Sequence, residues 1–390
     1  MATTTIYLQG PALNDSTQHH LVPDAVVRGN MLFTGGVAGF DAEGRLPETH
    51  EDQAALVYDR VGAILDAAGF SWQEIGHWFI WAPDRHSRIG PINPHWERRF
   101  PDIRSRPARH ALARQLDPGV HYRIELIGVK NAQRRSYEIN DRVYHTGGTD
   151  TPGFMPFGTT MGEIMFTGPT YGMYAATRKM GETPYKQAEL CFESNQALYD
   201  MSGFALDNMA QMFVWYHDPE SREAAIKFSE ATFPNKRDRP AIHCIYSQLP
   251  YWADPEVQGQ FLIQYDIIGV RGQRRQVIEL PGVTTMDNMP AAVATGDLCF
   301  TSAILGGQGT LEQQTRTAFG NAISAVEAAG FTKTDIAHAY VWYADHAARD
   351  TVDKVWSELF PRAEDRPTRH CVVAGLPQGS LIAVALTATR

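Results

Sequence analysis

The stretch Arg106-Pro-Ala-Arg-His110 recurs as Arg239-Pro-Ala-Ile-His243 and as Arg366-Pro-Thr-Arg-His370, at offsets of 133 and 127 residues. Other short motifs recur at nearly the same offsets. They are Phe-Pro (Phe100, Phe233, Phe360), Gly-Phe (Gly69, Gly203, Gly330), Phe-Thr (Phe33, Phe166, Phe300), a tryptophan twelve residues after each of those glycines (Trp81, Trp215, Trp342) and an aspartate fifteen after it (Asp84, Asp218, Asp345). Self-similarity at a nearly fixed period indicates one structural unit repeated along the chain. We therefore predict three tandem domains, covering residues 1–132, 133–272 and 273–390.

The composition is that of an ordinary globular protein, with 43% hydrophobic and 20% charged residues in 390. The net charge of −9 and the scattered basic residues argue against nucleic acid as a partner. The longest basic clusters are the short runs 133–135 and 273–275, at the predicted domain junctions. No apolar run approaches the roughly 20 residues that span a membrane, and the N-terminus lacks the features of a signal peptide. Four cysteines without CxxC spacing indicate neither zinc nor a disulfide framework, so we expect a cytoplasmic protein without a membrane partner.

Each copy shows the same order of elements, which the first copy illustrates. Two extended segments lead to Phe33-Thr34, and an amphipathic helix follows over 53–68. Gly69 ends that helix, as a glycine free to adopt positive φ does. An aromatic strand, a second helix that stops before Phe100-Pro101 and a closing hairpin complete the copy. This pattern predicts an α+β domain with one sheet and both helices on one face.

The other face of such a sheet is rich in apolar residues and must be buried against something. Three copies in one chain can bury these faces against each other by closing into a ring. We therefore predict a pseudo-threefold, single-chain trimer, and leave open whether whole chains associate further.

The order of the motifs in copy one resembles a complete domain of the Rid (YjgF, reactive intermediate deaminase) family. The segments that carry the resemblance are 29–36, Gly44, Gln53, Ala68-Gly69, 106–109 and 124–129, and copies two and three follow the same order more loosely. The resemblance implies chorismate-mutase-like domains, usually homotrimers with clefts between subunits. It also implies hydrolysis of reactive enamines and imines to a keto acid and ammonia, with no metal or organic cofactor.

The resemblance further implies which residues bind the substrate. In the family pattern the arginine of Pro-Ala-Arg binds the substrate carboxylate through two parallel donors, and it corresponds to Arg109 and Arg369. Copy two has Ile242 there and has lost that role. Two residues further on, where the family often carries cysteine, stands Cys371 in copy three. The backbone-contacting stretch after Phe-Thr corresponds to Gly35 and Gly36 in copy one and to Ser302 in copy three.

The catalytic carboxylate is where this chain departs from the family. The family position on the last strand is occupied by Arg123, Gln264 and Ala383. Glu125 lies two residues further on the same strand face, and we take it as the candidate catalytic residue of copy one through a shift of register. Copy two has Asp266 at that place and copy three has Ala385.

Alternative interpretations remain open from the sequence alone. Arg109 and Arg369 can instead be salt-bridge residues between domains. His110, His243 and His370 are better interpreted as core residues than as ligands on a threefold axis, so no metal is expected. The leading hypothesis for function is a hydrolase or deaminase of a small carboxylate-bearing enamine or imine. The alternatives are a chorismatase-like hydrolase of a cyclic carboxylate and a non-catalytic protein that binds small acids.

Overall fold

The computed structural model describes residues 3–8, 20–83, 90–138, 155–174, 177, 179–249, 251–254, 257–377 and 379–390. Asp84, part of the repeated pattern, lies outside them. No helix in these ranges has the length and apolar character needed to cross a membrane.

Three domains follow each other along the chain. The first contains β1 (Thr4–Ile6), β2 (Ala25–Arg28), β3 (Met31–Thr34), β4 (Val37–Ala38), α1 (His50–Ala68), β5 (Ile75–Ala82), α2 (Ile92–Arg99), β6 (Ala108–Ala113) and β7 (Arg123–Val129). The second contains β8 (Arg134–Tyr137), β9 (Gly158–Met161), β10 (Ile164–Thr167), β11 (Thr170–Tyr171), α3 (Pro184–Ser202), β12 (Met209–Tyr216), α4 (Pro219–Thr232), β13 (Ala241–Tyr246), the hairpin β14 (Tyr251–Asp254) and β15 (Val257–Gln260), and β16 (Ile263–Val270). The third contains β17 (Gln276–Ile278), β18 (Ala292–Thr295), β19 (Leu298–Thr301), β20 (Ile304–Leu305), α5 (Leu311–Ala328), β21 (Ile336–Tyr343), α6 (Arg349–Leu359), β22 (Thr368–Val373) and β23 (Ile382–Thr389).

The three seven-stranded sheets have the same topology, which corrects one sequence-based expectation. In the first sheet the order is β1-β2-β3-β7-β5-β6, with β4 paired to β7. The last strand, β7, therefore inserts between β3 and β5, and it does not form the predicted closing hairpin. The strand with the repeated motif, β6, instead pairs in parallel with β5 and forms the edge of the sheet. Parallel pairing places the second helix between these two strands as a crossover.

The long helix of each domain is fixed at both ends by local chemistry. The hydroxyl of Thr49 accepts a hydrogen bond from the N–H of Asp52, so α1 begins at His50, three residues before the predicted start. Gly69 ends it with φ 67°, as predicted, and Gly203 ends α3 with φ 77°.

A buried glutamine in the first turn of each long helix joins the helix to the sheet. Gln53 donates to the carbonyls of Pro47 and Gly119 and accepts from the N–H of His121. Gln187 and Gln314 make the same kind of contacts in the other two domains. A glycine stands against each of them (Gly39, Gly172, Gly306), where a Cβ would lie 2.4–2.5 Å from the glutamine residue.

The inner faces of the three sheets meet around a central axis, so the predicted pseudo-threefold ring is confirmed. Phe79, Phe213 and Tyr340 come from different domains, and their rings meet edge to face at centroid distances of 5.7 and 5.6 Å. The repeated tryptophans, Trp81, Trp215 and Trp342, are at most 1% exposed in the same cluster. This central core explains why the sheet faces away from the helices are apolar.

An arginine holds each domain to the one before it in the ring. Arg134 donates to the carbonyls of Ile75 and Ser105, and Arg275 donates to those of Met209 and Asp238. These arginines come from the two short basic clusters of the sequence. Domain 1 uses Arg28, which donates to the carbonyls of Ile336 and Asp365. We call these three residues the junction arginines; they are 2–8% exposed.

Candidate functional site

Each interface between domains places the repeated-motif strand of one domain beside the Phe-Thr loop of the next. At the 3–1 interface, between domains 3 and 1, a Cβ on Gly35 would lie 2.9 Å from the carbonyl oxygen of Arg369. At the 1–2 interface, a Cβ on Gly168 would lie 3.4 Å from the carbonyl oxygen of Arg109. At the 2–3 interface, the hydroxyl of Ser302 accepts from the N–H of Ile242 at 3.3 Å. Of the residues predicted to bind substrate, the structure thus brings Gly35 and Gly36 to the strand of Arg369 and Cys371. Ser302 instead faces the copy without the arginine.

The two motif arginines are buried and have partners within their own domains. Arg109 donates to Asn93 Oδ1 at 2.9 Å, and its guanidinium lies 4.8 Å from the centre of the Trp96 ring. Burial lowers the pKa of Arg109 to about 10. Arg369 makes an ion pair with Asp353, in which both side chains are fully buried, and lies over Trp356 in the same way.

Copy two has lost this whole arrangement and not the arginine alone. The helix partner stands 16 residues before the arginine and the tryptophan 13 residues before it, in both copies one and three. Counting back from Ile242 by the same steps gives Ile226 and Ser229. The arginine, its partner and its tryptophan therefore occur as one unit, in two of the three domains.

Two guanidinium groups converge on one carboxylate at the 3–1 interface. Asp117 of domain 1 accepts from Arg123 of the same domain at 2.6 Å and from Arg349 of domain 3 at 2.7 Å. Arg123 also donates to the carbonyl of Gly36 at 3.2 Å, which joins this cluster to the Gly35–Arg369 contact. Burial acts to raise the pKa of Asp117, but the two guanidinium groups outweigh it and the pKa lies below its usual range. Asp117 is thus hydrogen-bonded to two guanidinium groups, one from each side of the 3–1 interface.

Glu125 lies on the axis side of β7 within a network from domain 3. His370 Nδ1 is 2.6 Å from its carboxylate, Tyr340 donates its hydroxyl to it, and His338 Nε2 is 3.4 Å away. Burial acts to raise the pKa of Glu125, but His338, His370 and Tyr340 outweigh it and the pKa is lowered. Glu125 also lines an axial cavity of about 10 Å³, which has room for about one water molecule.

The histidine–carboxylate pairing is made at two of the three interfaces. His110 Nδ1 lies 2.6 Å from Asp266 of domain 2, with Gln264 Oε1 3.2 Å from its Nε2. His243 finds Ala385 at the equivalent place in domain 3, and its Nε2 lies 2.8 Å from the carbonyl of Thr301 instead. Within the described ranges, no three His, Cys, Asp or Glu side chains are grouped so that they could hold a metal ion.

The 2–3 interface contains a second ionic cluster, which the sequence did not predict. Arg222 of domain 2 makes an ion pair with Asp287 of domain 3, next to the Cys244 thiol. Burial raises the pKa of Asp287, although Arg222 acts in the opposite direction. Arg222 stands 20 residues before Ile242, as Arg349 stands 20 before Arg369. That shared spacing is the one sequence signal from which both interface arginines could have been found.

A family model described as "Endoribonuclease L-PSP" matches residues 14–130 and 284–390, more than half of the chain. The chain belongs to this family. The two matched segments lie in domains 1 and 3, which carry the motif arginines of this L-PSP family protein.

Solved structures similar to this L-PSP family chain include one that matches most of its length and others that match about one third of it. A crystal structure of a chorismatase is 14% identical, with a TM-score of 0.54, over 81% of this chain and 93% of the other. This likeness shows that the fold extends over the three domains. Escherichia coli TdcF with bound serine is 25% identical over 30% of this chain and 98% of its own, with a TM-score of 0.28. A Thermotoga maritima protein described as a putative endoribonuclease is 30% identical over 34% of this chain and 99% of its own, with a TM-score of 0.29.

Proposed function

We propose that this chain is a hydrolase of a small carboxylate-bearing imine or enamine, and that its working site is the 3–1 interface. The observation that carries the proposal is the pairing of two guanidinium groups, Arg123 and Arg349, with the single carboxylate of Asp117. A guanidinium carries five N–H donors, so it can bind a substrate carboxylate while it keeps its bond to Asp117, and such charge-assisted hydrogen bonds are roughly twice as strong as neutral ones.

The reaction adds water to the carbon of the C=N bond and then expels ammonia, so a group must accept the proton of the attacking water. Two of the carboxylates at this interface, Glu125 and Asp117, can take this role. Glu125, the candidate from the sequence, has a side chain 4% exposed, whereas that of Asp117 is 23% exposed. Glu125→Gln and Asp117→Asn separate them, because loss of the proton acceptor lowers kcat, whereas loss of a neighbouring charge chiefly changes KM.

The site is tested with a pair of variants that break equivalent ion pairs at different interfaces. We expect Arg349→Ala to lower kcat/KM for 2-imino acids generated in solution by about 10–100-fold, the loss of one hydrogen bond to a charged group. Arg222→Ala breaks the matching Arg222–Asp287 pair at the 2–3 interface and should leave the rate unchanged. Equal rates in wild type and Arg349→Ala would place the chemistry elsewhere. Without acceleration over a protein-free control, the proposed reaction is wrong.

The second candidate is hydrolysis of a cyclic carboxylate, as in a chorismatase. It is favoured by the likeness to the chorismatase structure, which extends over most of both chains. Consumption of chorismate with no effect on imines would decide for it. A shift in melting temperature with either acid but no turnover would leave a protein that binds small acids.

We place the chain in the cytoplasm. All four cysteines are buried thiols outside any disulfide, which suits a reducing compartment.

A further inference from the structure

A pocket of about 330 Å³ opens on the pseudo-threefold axis, at the end of the central core where the motif strands finish. All three domains line it. Its walls are Pro83, Ala113, Ala344, Val373, Ala374 and Gly375, and its polar groups are Arg114, Gln115, Tyr246 and Gln248. This volume is in the range of pockets that enclose a small metabolite. Among the lining residues that the structure describes, none is acidic.

Arg114 is the one charged residue of this described lining. It directly follows β6, and its N–H donates to the carbonyl of Ala82, which holds the backbone in the β5–β6 ladder. Alternation along the strand puts its side chain on the same face as His110 and Leu112, toward the axis. The residue is 7% exposed.

The guanidinium of Arg114 is not fully satisfied by the residues that the structure describes. Its Nε and Nη2 are buried and have no hydrogen-bond partner in the part of the chain that the structure describes. The neighbouring group is the ring of Tyr246, whose centre lies 5.9 Å away. Burial lowers the pKa of Arg114 to about 10, so the group is still a cation at neutral pH. A buried charge without a counter-charge is strongly unfavourable, and such groups are normally paired.

Only one copy supplies this cation. The residues that follow β13 and β22 donate to the preceding ladder in the same way, and they are Ser247 and Ala374. Three arginines at this place would converge on the axis and repel each other. With one arginine, a serine and an alanine at the three equivalent positions, the small side chains instead leave space for a ligand beside Arg114.

We propose that the axial pocket binds one small organic acid, with its carboxylate on Arg114 and its apolar body against the Ala, Val and Pro wall and the Tyr246 ring. Two parallel N–H groups of a guanidinium match the two oxygens of a carboxylate. The apolar wall favours an organic acid over inorganic phosphate, whose several charged oxygens would meet a single cation and methyl groups. The described lining of this pocket contains none of Asp117, Arg123 and Arg349 of the 3–1 site, so the proposal does not depend on the proposed hydrolase activity.

Calorimetric titration with benzoate tests the proposal, using benzamide as the uncharged analogue and inorganic phosphate as the alternative anion. We expect one benzoate per chain, at least tenfold weaker binding of benzamide, and at least tenfold weaker benzoate binding in Arg114→Met. Gln115→Ala, at the adjacent rim position, should bind benzoate nearly as well as wild type. Binding of phosphate but not benzoate would overturn the assignment to an organic acid. Failure of benzoate to bind, or unchanged binding in Arg114→Met, would overturn the site.

A second measurement guards against a variant that fails to fold. Ala374→Glu places a carboxylate from domain 3 in the pocket beside Arg114, so it should abolish benzoate binding and raise the melting temperature without ligand. Arg114→Met should also raise that temperature, because it removes an unpaired buried charge. Both variants should retain the hydrolytic rate of wild type, which distinguishes failure of this pocket from failure of the 3–1 site. A lower melting temperature in both would show that Arg114 is satisfied within the protein.

Discussion

Arg109 and Arg369 occupy equivalent places but have different hydrogen-bond partners on the second helix of their domains. Arg369 has the carboxylate of Asp353, whereas Arg109 has the amide of Asn93. The fold therefore accepts a hydrogen-bonded amide at this place, provided that the guanidinium still has an oxygen to donate to.

Asp353 provides a test of this requirement. Asp353→Ala should lower the free energy of unfolding by about 3–5 kcal/mol, because it removes the carboxylate that neutralises the buried Arg369. Asp353→Asn reproduces the residue of copy one and should cost less than about 2 kcal/mol. Urea unfolding of the two variants checks the difference, and equal losses would contradict it.

His77 makes stability depend on pH at the level of one residue. Burial is the main cause that lowers its pKa to about 4, against 6.5 in an unfolded chain. Above pH 6.5 the residue is neutral in both states and adds no pH dependence. Between about pH 6.5 and 4 the unfolded chain takes up a proton that the folded chain does not, so stability falls as the pH falls.

Copy two provides the control for this effect, since Gln211 stands where domain 1 has His77. As the pH falls from 7 to 4.5, the free energy of unfolding should decrease by about 2–3 kcal/mol less in His77→Gln than in wild type. This difference corresponds to about 1.4 kcal/mol per pH unit below pH 6.5. Urea midpoints measured across this range test it. Parallel pH profiles for the two proteins would show that His77 does not titrate as described.

At the scale of elements, the sequence predicted the individual helices and strands better than it predicted which strands lie side by side in the sheet. Helix α1 was placed to within three residues, because Gly69 and the apolar stripe mark it locally. The order of strands was wrong at the C-terminal end of each copy. Periodicity shows which face of a strand is buried, but it does not show that β7 runs between β3 and β5. That choice depends on pairing between segments about 50 and 95 residues apart.

The buried glutamine that joins each long helix to its sheet makes stability sensitive to a single substitution. Gln187→Leu removes the hydrogen bonds that this side chain makes with the N–H of Leu262 and the carbonyls of Gly181 and Gln260. We expect a loss of about 2–4 kcal/mol in the free energy of unfolding, since unsatisfied buried groups cost about 1–3 kcal/mol each. Gln196 on the same helix bonds to Asp200 at the surface, so Gln196→Leu should change stability by less than about 0.5 kcal/mol. Similar losses in both would contradict this role.

At the scale of the whole molecule, the site was harder to predict than the fold. The repeated motifs and the ring could be predicted by comparing the three segments of the sequence with each other. The cluster of Asp117, Arg123 and Arg349 does not, because its members are up to 232 residues apart and only the closed ring brings them together. The sequence also did not show that Arg109 and Arg369 bond within their own domains, since Asn93 and Asp353 lie on a helix whose facing direction the motif does not reveal.

Ring closure itself can be tested through the junction arginines. Arg28→Ala should increase the radius of gyration and lower the urea midpoint, because the 3–1 junction has no linker to hold it. Arg134→Ala removes equivalent bonds at a junction that the chain also connects, so it should expand the molecule less. Small-angle scattering compares them, with the exposed neighbour variant Arg135→Ala as the control. Equal expansion in Arg28→Ala and Arg134→Ala would show that the linker adds nothing.

Because the three domains belong to one chain, dilution of the protein does not separate them. In an assembly of separate chains, every junction is an association that weakens as the concentration falls. Here domain 3 meets domain 1 within one molecule, at an effective concentration on the order of millimolar. A site formed at that junction therefore stays assembled at low protein concentration. Its occupancy depends on the ligand concentration alone.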